Sequence, residues 1–194
     1  MRQLIDEVYA LMTAGAGRAG RPVAEPVANR LAERLPEADI ARMEGLLEML
    51  MADEFGGRAD LPMLAETTEL TDDDLLPLVQ ALSLLELSQV SQGDLLITQA
   101  GRDYVAGTHA ERQKIFGRQL LANVPLVAHM RHSLDQEASG ELREEPFLHL
   151  LRESLDATEA ERVMQTAIEW GRHGEVFEYD YHTGLIHLPD DEPA

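Results

Sequence analysis

The histidines are the residues of this sequence whose spacing could support chemistry. His129 and His132 lie three residues apart on a predicted helix, and His173, His182 and His187 gather around the last predicted hairpin. Converging imidazoles can hold zinc or another divalent cation, although the chain has no cysteine to complete such a site. Because scattered surface histidines are common, we assign no metal and keep these five residues as candidates. A metal-responsive sensor is therefore one alternative function.

Other catalytic signals are absent or sit in the wrong context. Gly15, Gly17 and Gly20 match the dinucleotide pattern G-x-G-x-x-G, but a predicted helix precedes them and Pro22 follows. That pattern binds pyrophosphate only at a strand-to-helix turn. The Walker phosphate loop, the G-x-S-x-G elbow and the H-E-x-x-H zinc pair do not occur. We expect no catalytic residue, no cofactor and no enzyme activity from this chain itself.

The charge of the chain limits its partners. The formal net charge is -20, so nucleic acid and anionic lipid would be repelled unless a basic patch were concentrated somewhere. The nearest approach to such a patch consists of Arg112, Lys114, Arg118 and Arg131. Glu111 and Asp135 dilute it. Nucleic acid is therefore an unfavourable partner.

The N-terminal sequence and the absence of cysteine predict a cytoplasmic protein. Asp6 and Glu7 interrupt what would be the apolar region of a signal peptide. No stretch approaches the ~20 apolar residues of a membrane span. With 44% hydrophobic residues the chain should fold into a compact structure, and we expect it to be neither exported nor embedded.

The first half of the chain predicts a winged-helix lobe. Residues 1–13 have the apolar spacing of a helix, and residues 14–36, rich in Gly, Ala and Pro, are typical of a linker. Residues 37–106 then give three helices, a small hairpin around Gly93 and a helix capped by Thr98. The three helices are predicted over 37–52, 60–67 and 71–86.

The second half predicts a helical lobe over residues 107–189. It ends in a hairpin around His182, Thr183 and Gly184, and an acidic tail of residues 190–194 follows. Helices are predicted over 108–123, 125–135, 146–155 and 156–172. The fold class is thus mainly α with small β-hairpins (α+β). Because helices followed by a hairpin occur twice, the second lobe is interpreted as a degenerate second winged helix.

The third helix of the first lobe argues against DNA binding. This helix would enter the major groove, yet residues 71–86 contain no Lys or Arg and four acidic residues. We therefore favour a winged helix that binds protein. The alternative is a transcription regulator that binds DNA with the help of the stretch from Arg112 to Arg131.

Four separate blocks of the sequence resemble a known family. They are GLLEMLMADEFGGRADLPMLAE, DDLLPLVQALSLLELSQVSQGDLLITQAGRDY, RQKIFGRQLLANVPLVAHMRHSL and AIEWGRHGEVFEYDYHTGLIHL. Together they resemble the AAA-associated C-terminal domain, which extends the ATPase subunit of ABC transporters of the nitrate, sulfonate, taurine and bicarbonate class. Residues 1–13 resemble the helix that follows the ATPase core.

The resemblance implies a regulatory or accessory domain whose partner is a transporter ATPase. The ATPase itself is missing from this sequence, so the chain is either a C-terminal piece or a separate protein acting in trans. A homodimer is a further expectation, because transporter ATPases pair. Contact with the inner face of a membrane would be indirect, through the transporter. The resemblance carries over no catalytic residue.

Overall fold

The computed structural model describes residues 31–189, which divide into two compact units. The first unit is residues 38–105, and the second combines residues 31–37 with residues 106–189. Eight helices and two three-stranded antiparallel sheets occur within residues 31–189, which confirms a mostly helical fold with small β-elements. The predicted helix over 1–13, most of the predicted linker and the tail over 190–194 lie outside the described residues.

The first unit begins with a helix and ends with a hairpin followed by a short helix. Its elements are α1 (Ile40–Met51), β1 (Arg58–Asp60), α2 (Leu61–Thr68), α3 (Asp72–Leu84), β2 (Ser88–Ser91), β3 (Asp94–Ile97) and α4 (Gln99–Ala106). The sheet order is β1-β3-β2. The N-cap side chains of Asp39, Asp60 and Thr71 each accept a hydrogen bond from the backbone N–H three residues on, which fixes where these helices begin.

The core of the first unit is aliphatic. Leu46, Leu47 and Leu50 of α1 recur at helical spacing and are buried, as are the inward residues of α3. Leu95 of β3 is fully buried in the central strand of the sheet. Strand β1 was not predicted. It has only three residues after a Gly-Gly turn, which is too short to show the alternation of apolar and polar residues that indicates a strand.

After its first helix, the second unit repeats the order of elements that the first unit shows from α1 to β3. Its elements are α5 (His109–Asn123), α6 (Pro125–Gln136), β4 (Glu141–Arg143), α7 (Glu145–Arg152), α8 (Ala157–His173), β5 (Glu178–Asp180) and β6 (Leu185–His187). The sheet order is β4-β6-β5. Thr108 and Glu111 form the predicted capping box at α5, and Asp156 caps α8. Strand β4 lies between the predicted helices over 125–135 and 146–155, where no strand was predicted.

The core of the second unit is aromatic and centres on α8. Trp170 of α8 is 0% exposed and meets the ring of Phe116 edge-on, with 6.3 Å between centroids. Next to this pair, α5 and the end of α8 approach very closely, since a Cβ atom on Gly174 would lie 2.8 Å from Cα of Gly117. Two glycines are therefore what allow the backbones to touch at this point.

One order of elements occurs twice. The series α1-β1-α2-α3-β2-β3 and α6-β4-α7-α8-β5-β6 both read helix, strand, helix, helix, strand, strand. The first three elements even match in length, with 12, 3 and 8 residues in each series. In both sheets the strand between the first two helices of the series pairs with the last strand of the hairpin. The two series therefore share the same order of elements and the same strand pairing.

None of the helices described within residues 31–189 is both long and apolar enough to cross a bilayer.

Residues 31–37 precede the first unit in the chain yet belong to the second. Leu31, Ala32 and Leu35 are buried, although the sequence predicts a linker over 14–36. The Arg162 side chain of α8 holds this segment, because Nη1 donates to the Leu35 carbonyl oxygen over 2.9 Å. Arg162 also donates to both carboxylate oxygens of Glu159, at 2.5 and 3.0 Å. These hydrogen bonds lower the pKa of Glu159.

We expect Arg162→Gln to loosen residues 31–37. The variant loses the charge-assisted bonds to the Leu35 carbonyl and Glu159, at a cost of about 1–3 kcal/mol in the free energy of unfolding. Trypsin should then cleave after Arg34 several times faster, as measured by mass spectrometry of the products. The control is Arg152→Gln, whose ion pair with Glu161 is exposed. Equal cleavage rates for the two variants would contradict this assignment.

Candidate functional site

Helix α3 is the element that the sequence singled out as a binding surface, and its exposed start is acidic. Asp72, Asp73 and Asp74 occupy its first turn, where carboxylates favour the positive end of the helix dipole. The hydroxyl of Thr71 donates to Asp74, which lowers the pKa of that carboxyl, with a smaller contribution from Arg42. These carboxylates therefore stabilise the start of the helix. Helix α3 has no Lys or Arg that could bind a phosphate.

The predicted basic stretch is divided between two helices and is partly used internally. Arg112 of α5 donates to the Gly107 carbonyl oxygen over 3.2 Å. Arg131 of α6 donates to Asp135 over 2.9 Å and to the Val176 carbonyl oxygen over 2.7 Å. Lys114 and Arg118 are exposed on α5. These four residues therefore do not form a continuous basic surface that could bind DNA.

The histidines proposed as metal candidates lie in separate surroundings. His129 packs edge-on against Phe147 at 5.8 Å, and His173 packs edge-on against Phe116 at 4.8 Å, so two of them are aromatic packing partners. His132 is exposed on α6, whereas His182 lies in the β5–β6 turn and His187 in β6. Within residues 31–189, no group of three or more histidines and carboxylates comes together in a geometry that could hold a metal ion.

A cluster of polar aromatic and charged side chains surrounds the β5–β6 hairpin of the second unit. We call it the tyrosine cluster, and its members are Glu144, Arg172, Glu178, Tyr179 and Tyr181. The hydroxyl of Tyr179 donates to Glu144 over 2.7 Å. The rings of Tyr179 and Tyr181 meet edge-on, with 4.8 Å between centroids. The guanidinium of Arg172 lies 5.4 Å from the centre of the Tyr181 ring, and its Nε donates to Glu178 over 3.4 Å.

The turn that carries Tyr181 is held by its own backbone and side chains. Asp180 accepts a hydrogen bond from the backbone N–H of His182 over 2.8 Å and another from the hydroxyl of Thr183 over 2.7 Å. These bonds lower the pKa of Asp180. Gly184 has a φ of 69°, a conformation that favours glycine, and its N–H donates to the Asp180 carbonyl oxygen. Tyr181 therefore projects from a fixed turn.

The electrostatics of the cluster follow from this geometry. Partial burial raises the pKa of Tyr179 to about 12, and the hydrogen bond and negative charge of Glu144 add to the effect. The hydroxyl of Tyr181, and after it the carboxylate of Glu178, raises the pKa of Arg172. The cluster thus places the phenol of Tyr179, which stays neutral at neutral pH, close to a guanidinium. These groups can bind other polar groups, but they include no activated nucleophile.

Sequence reasoning missed the tyrosine cluster. It predicted the last hairpin from the run EVFEYDYHTGLIHL but assigned no role to its tyrosines. The available signal was the pair of tyrosines beside acidic residues at a turn, whereas Glu144 lies 35 residues before Tyr179. The pairing of β4 with β6, together with the hydrogen bond from the Glu144 N–H to the Gly184 carbonyl oxygen, brings that carboxylate close to the hairpin.

We expect Glu144→Gln to lower the pKa of Tyr179 toward its ordinary value of 10.0, without reaching it because burial is the larger cause. The ultraviolet absorbance of tyrosinate measures this, with Tyr179→Phe identifying the signal. Since an unfolded phenol ionises near pH 10, the folding stability contributed by Tyr179 should decline from about pH 10 to about pH 12. The control is Glu145→Gln, because Glu145 has the smallest influence on this pKa. An unchanged Tyr179 titration in Glu144→Gln would refute the assigned contact.

Comparison with known proteins gives one match. The sequence model of a family described as the C-terminal AAA-associated domain matches residues 62–180, from α2 to the end of β5. Searches of curated proteins and of solved structures found no match. The matched residues include most of both units and make up more than half of the chain. The chain belongs to the family of C-terminal AAA-associated domains.

Proposed function

We propose that this chain is a non-enzymatic accessory domain that binds and regulates the ATPase of an ABC importer of the nitrate, sulfonate, taurine and bicarbonate class. The observation that carries the proposal is the family match over residues 62–180. The residues quoted for the resemblance add support, because their four blocks run in order through both units. Because transporter ATPases pair, the proposed complex holds two copies of the chain at the cytoplasmic face of the membrane.

We infer that each unit is a winged helix. The support is the twice-repeated order of helix, strand, two helices and hairpin, with the first strand added to the hairpin in both sheets. In this interpretation α3 and α8 take the place of the helix that enters DNA in other winged-helix proteins. Neither unit requires DNA as its ligand, since a fold alone does not set a function.

The alternative of a DNA-binding regulator has less support. Helix α3 and the β2–β3 hairpin contain no Lys or Arg. In the second unit, Arg162 and Arg172 of α8 are both engaged by carboxylates, namely Glu159 and Glu178. A surface of this kind offers phosphate groups no free cation at the helices that would approach them.

A gel-shift assay at low salt separates these two functions. We expect the chain to leave duplex DNA unretarded, because a net charge of -20 opposes binding most strongly when salt does not screen it. Single-stranded DNA and RNA serve as comparison probes. Tight retardation that disappears as salt is raised would instead favour the transcription regulator.

The accessory function predicts an effect on ATP hydrolysis. The purified chain is titrated into an ABC importer ATPase of the stated class from the same organism, and the steady-state hydrolysis rate is measured over a range of ATP concentrations. We expect a saturable change, with the half-maximal ATP concentration shifted on the order of 5-fold, as is typical of coupling between sites. An unrelated acidic protein at the same concentration is the control. Identical kinetics with the chain and with that control would refute the proposal.

A further inference from the structure

We propose that Tyr181 and the carboxylates around it bind an arginine or lysine side chain presented by a basic surface of a protein partner. The proposal concerns the tyrosine cluster and deepens the accessory function, on which it rests for the identity of the partner. It supplies a docking site and a partner chemistry, which the family match does not.

The first support is the exposure of a large aromatic ring on a fixed turn. Tyr181 is 55% exposed, although Tyr179 and Arg172 both lie against its ring. The hydrogen bonds of Asp180 hold the turn in place. A side chain fixed in this way loses little conformational freedom on binding, which is why rigid tyrosines contribute strongly to protein interfaces.

The second support is that the cluster already contains a bound guanidinium. Arg172 lies 5.4 Å from the centre of the Tyr181 ring, within the range of a cation–π contact, and Glu178 accepts a hydrogen bond from it. The chain thus shows the geometry in which this ring and carboxylate accept a cation. The exposed part of the ring can accept a second cation from outside.

The third support is the charge around the ring. The hairpin and the residues beside it carry an excess of acidic side chains over basic ones. The acidic residues are Glu144, Glu145, Glu175, Glu178 and Asp180, and the basic ones are Arg143 and Arg172. Such a rim attracts a basic protein surface and repels phosphate, so nucleic acid and anionic lipid do not fit.

A second copy of this chain does not fit the surface well either. The chain has 16 Lys and Arg against 36 Asp and Glu, so a second copy offers few clustered cations to this ring and its acidic rim. The occupant that matches both the aromatic ring and the acidic rim is therefore a different protein with clustered Arg or Lys. In the proposed function this surface belongs to the ATPase.

The repeated topology provides an internal comparison. The hairpin of the first unit has Gln92 and Gly93 at its turn and no aromatic residue between β2 and β3. The corresponding turn of the second unit carries Tyr181. The aromatic surface is therefore a property of this hairpin's sequence and not a requirement of the shared arrangement of strands.

The test uses the full chain and an acetylated, amidated tetra-arginine peptide as the probe. Isothermal titration at low salt gives the affinity, and amide chemical shifts in a ¹⁵N-labelled sample locate the bound peptide. Three variants are compared with the wild type. Tyr181→Ala removes the ring, Tyr181→Phe keeps the ring without its hydroxyl, and Met63→Ala removes a side chain of similar exposure from the first unit.

We expect the largest shifts at residues 172–184 and an affinity about 2- to 5-fold weaker in Tyr181→Ala, as for the loss of one exposed cation–π contact. Tyr181→Phe should bind nearly as well as the wild type, and Met63→Ala should match it. Equal affinity in Tyr181→Ala, or shifts concentrated at the three aspartates of α3, would overturn the proposal.

The same variants separate this inference from the accessory function. If the peptide binds in a Tyr181-dependent way but the ATPase is neither bound nor affected by the chain, the docking surface stands and the accessory function fails. If the ATPase responds equally to the wild type and to Tyr181→Ala, and peptide affinity is also unchanged, the accessory function stands and the docking surface is wrong.

Discussion

The Arg162 side chain joins two parts of the chain that are separated in sequence by the whole first unit. It belongs to α8 and hydrogen-bonds the Leu35 carbonyl, while the buried Leu31 and Leu35 add apolar contact area. Without this attachment the second unit would lack part of its core and would no longer include residues 31–37. This hydrogen bond and the burial of Leu31 and Leu35 attach residues 31–37 to the second unit, which is why that unit is discontinuous in sequence.

Helix α8 connects the attachment to the candidate docking surface. Arg162 lies near its middle and Arg172 near its end, about 15 Å apart along the axis at 1.5 Å per residue. Between them lies Trp170, which is fully buried and packs against Phe116. One helix therefore contacts residues 31–37, contributes Trp170 to the aromatic core and carries the guanidinium beside Tyr181. A change in the position of α8 would affect all three.

Most of the helices could be predicted from the sequence because their signals are local. Capping residues such as Thr108 and Asp156 act within three residues, and apolar spacing repeats within one turn. The strands β1 and β4 could not be found, because each has three residues and exists only through pairing with a distant hairpin. For the same reason the predicted linker wrongly included residues 31–36, which are held by a helix more than 120 residues away.

The candidate site shows the same limit. Residue type and spacing drew attention to the histidines, but the rings of His129 and His173 lie against phenylalanines that local spacing does not reveal. The acidic character of α3 could be read directly, because it is a property of one continuous segment. The tyrosine cluster could not be read in this way. Glu144 lies between β4 and α7, Arg172 lies in α8, and the tyrosines lie in the hairpin. Only the tertiary fold brings these residues together.

The discontinuity of the second unit also bears on how the chain folds during synthesis. Residues 38–105 form a continuous segment, so the first unit has all of its residues once the ribosome has passed residue 105. Leu31 and Leu35 emerge earlier, yet α8, whose Arg162 donates to the Leu35 carbonyl oxygen, is the last helix in the described part of the chain. More than 120 further residues must be translated before Arg162 can bond to this segment. The first unit is therefore expected to fold first, while residues 31–37 stay accessible to chaperones.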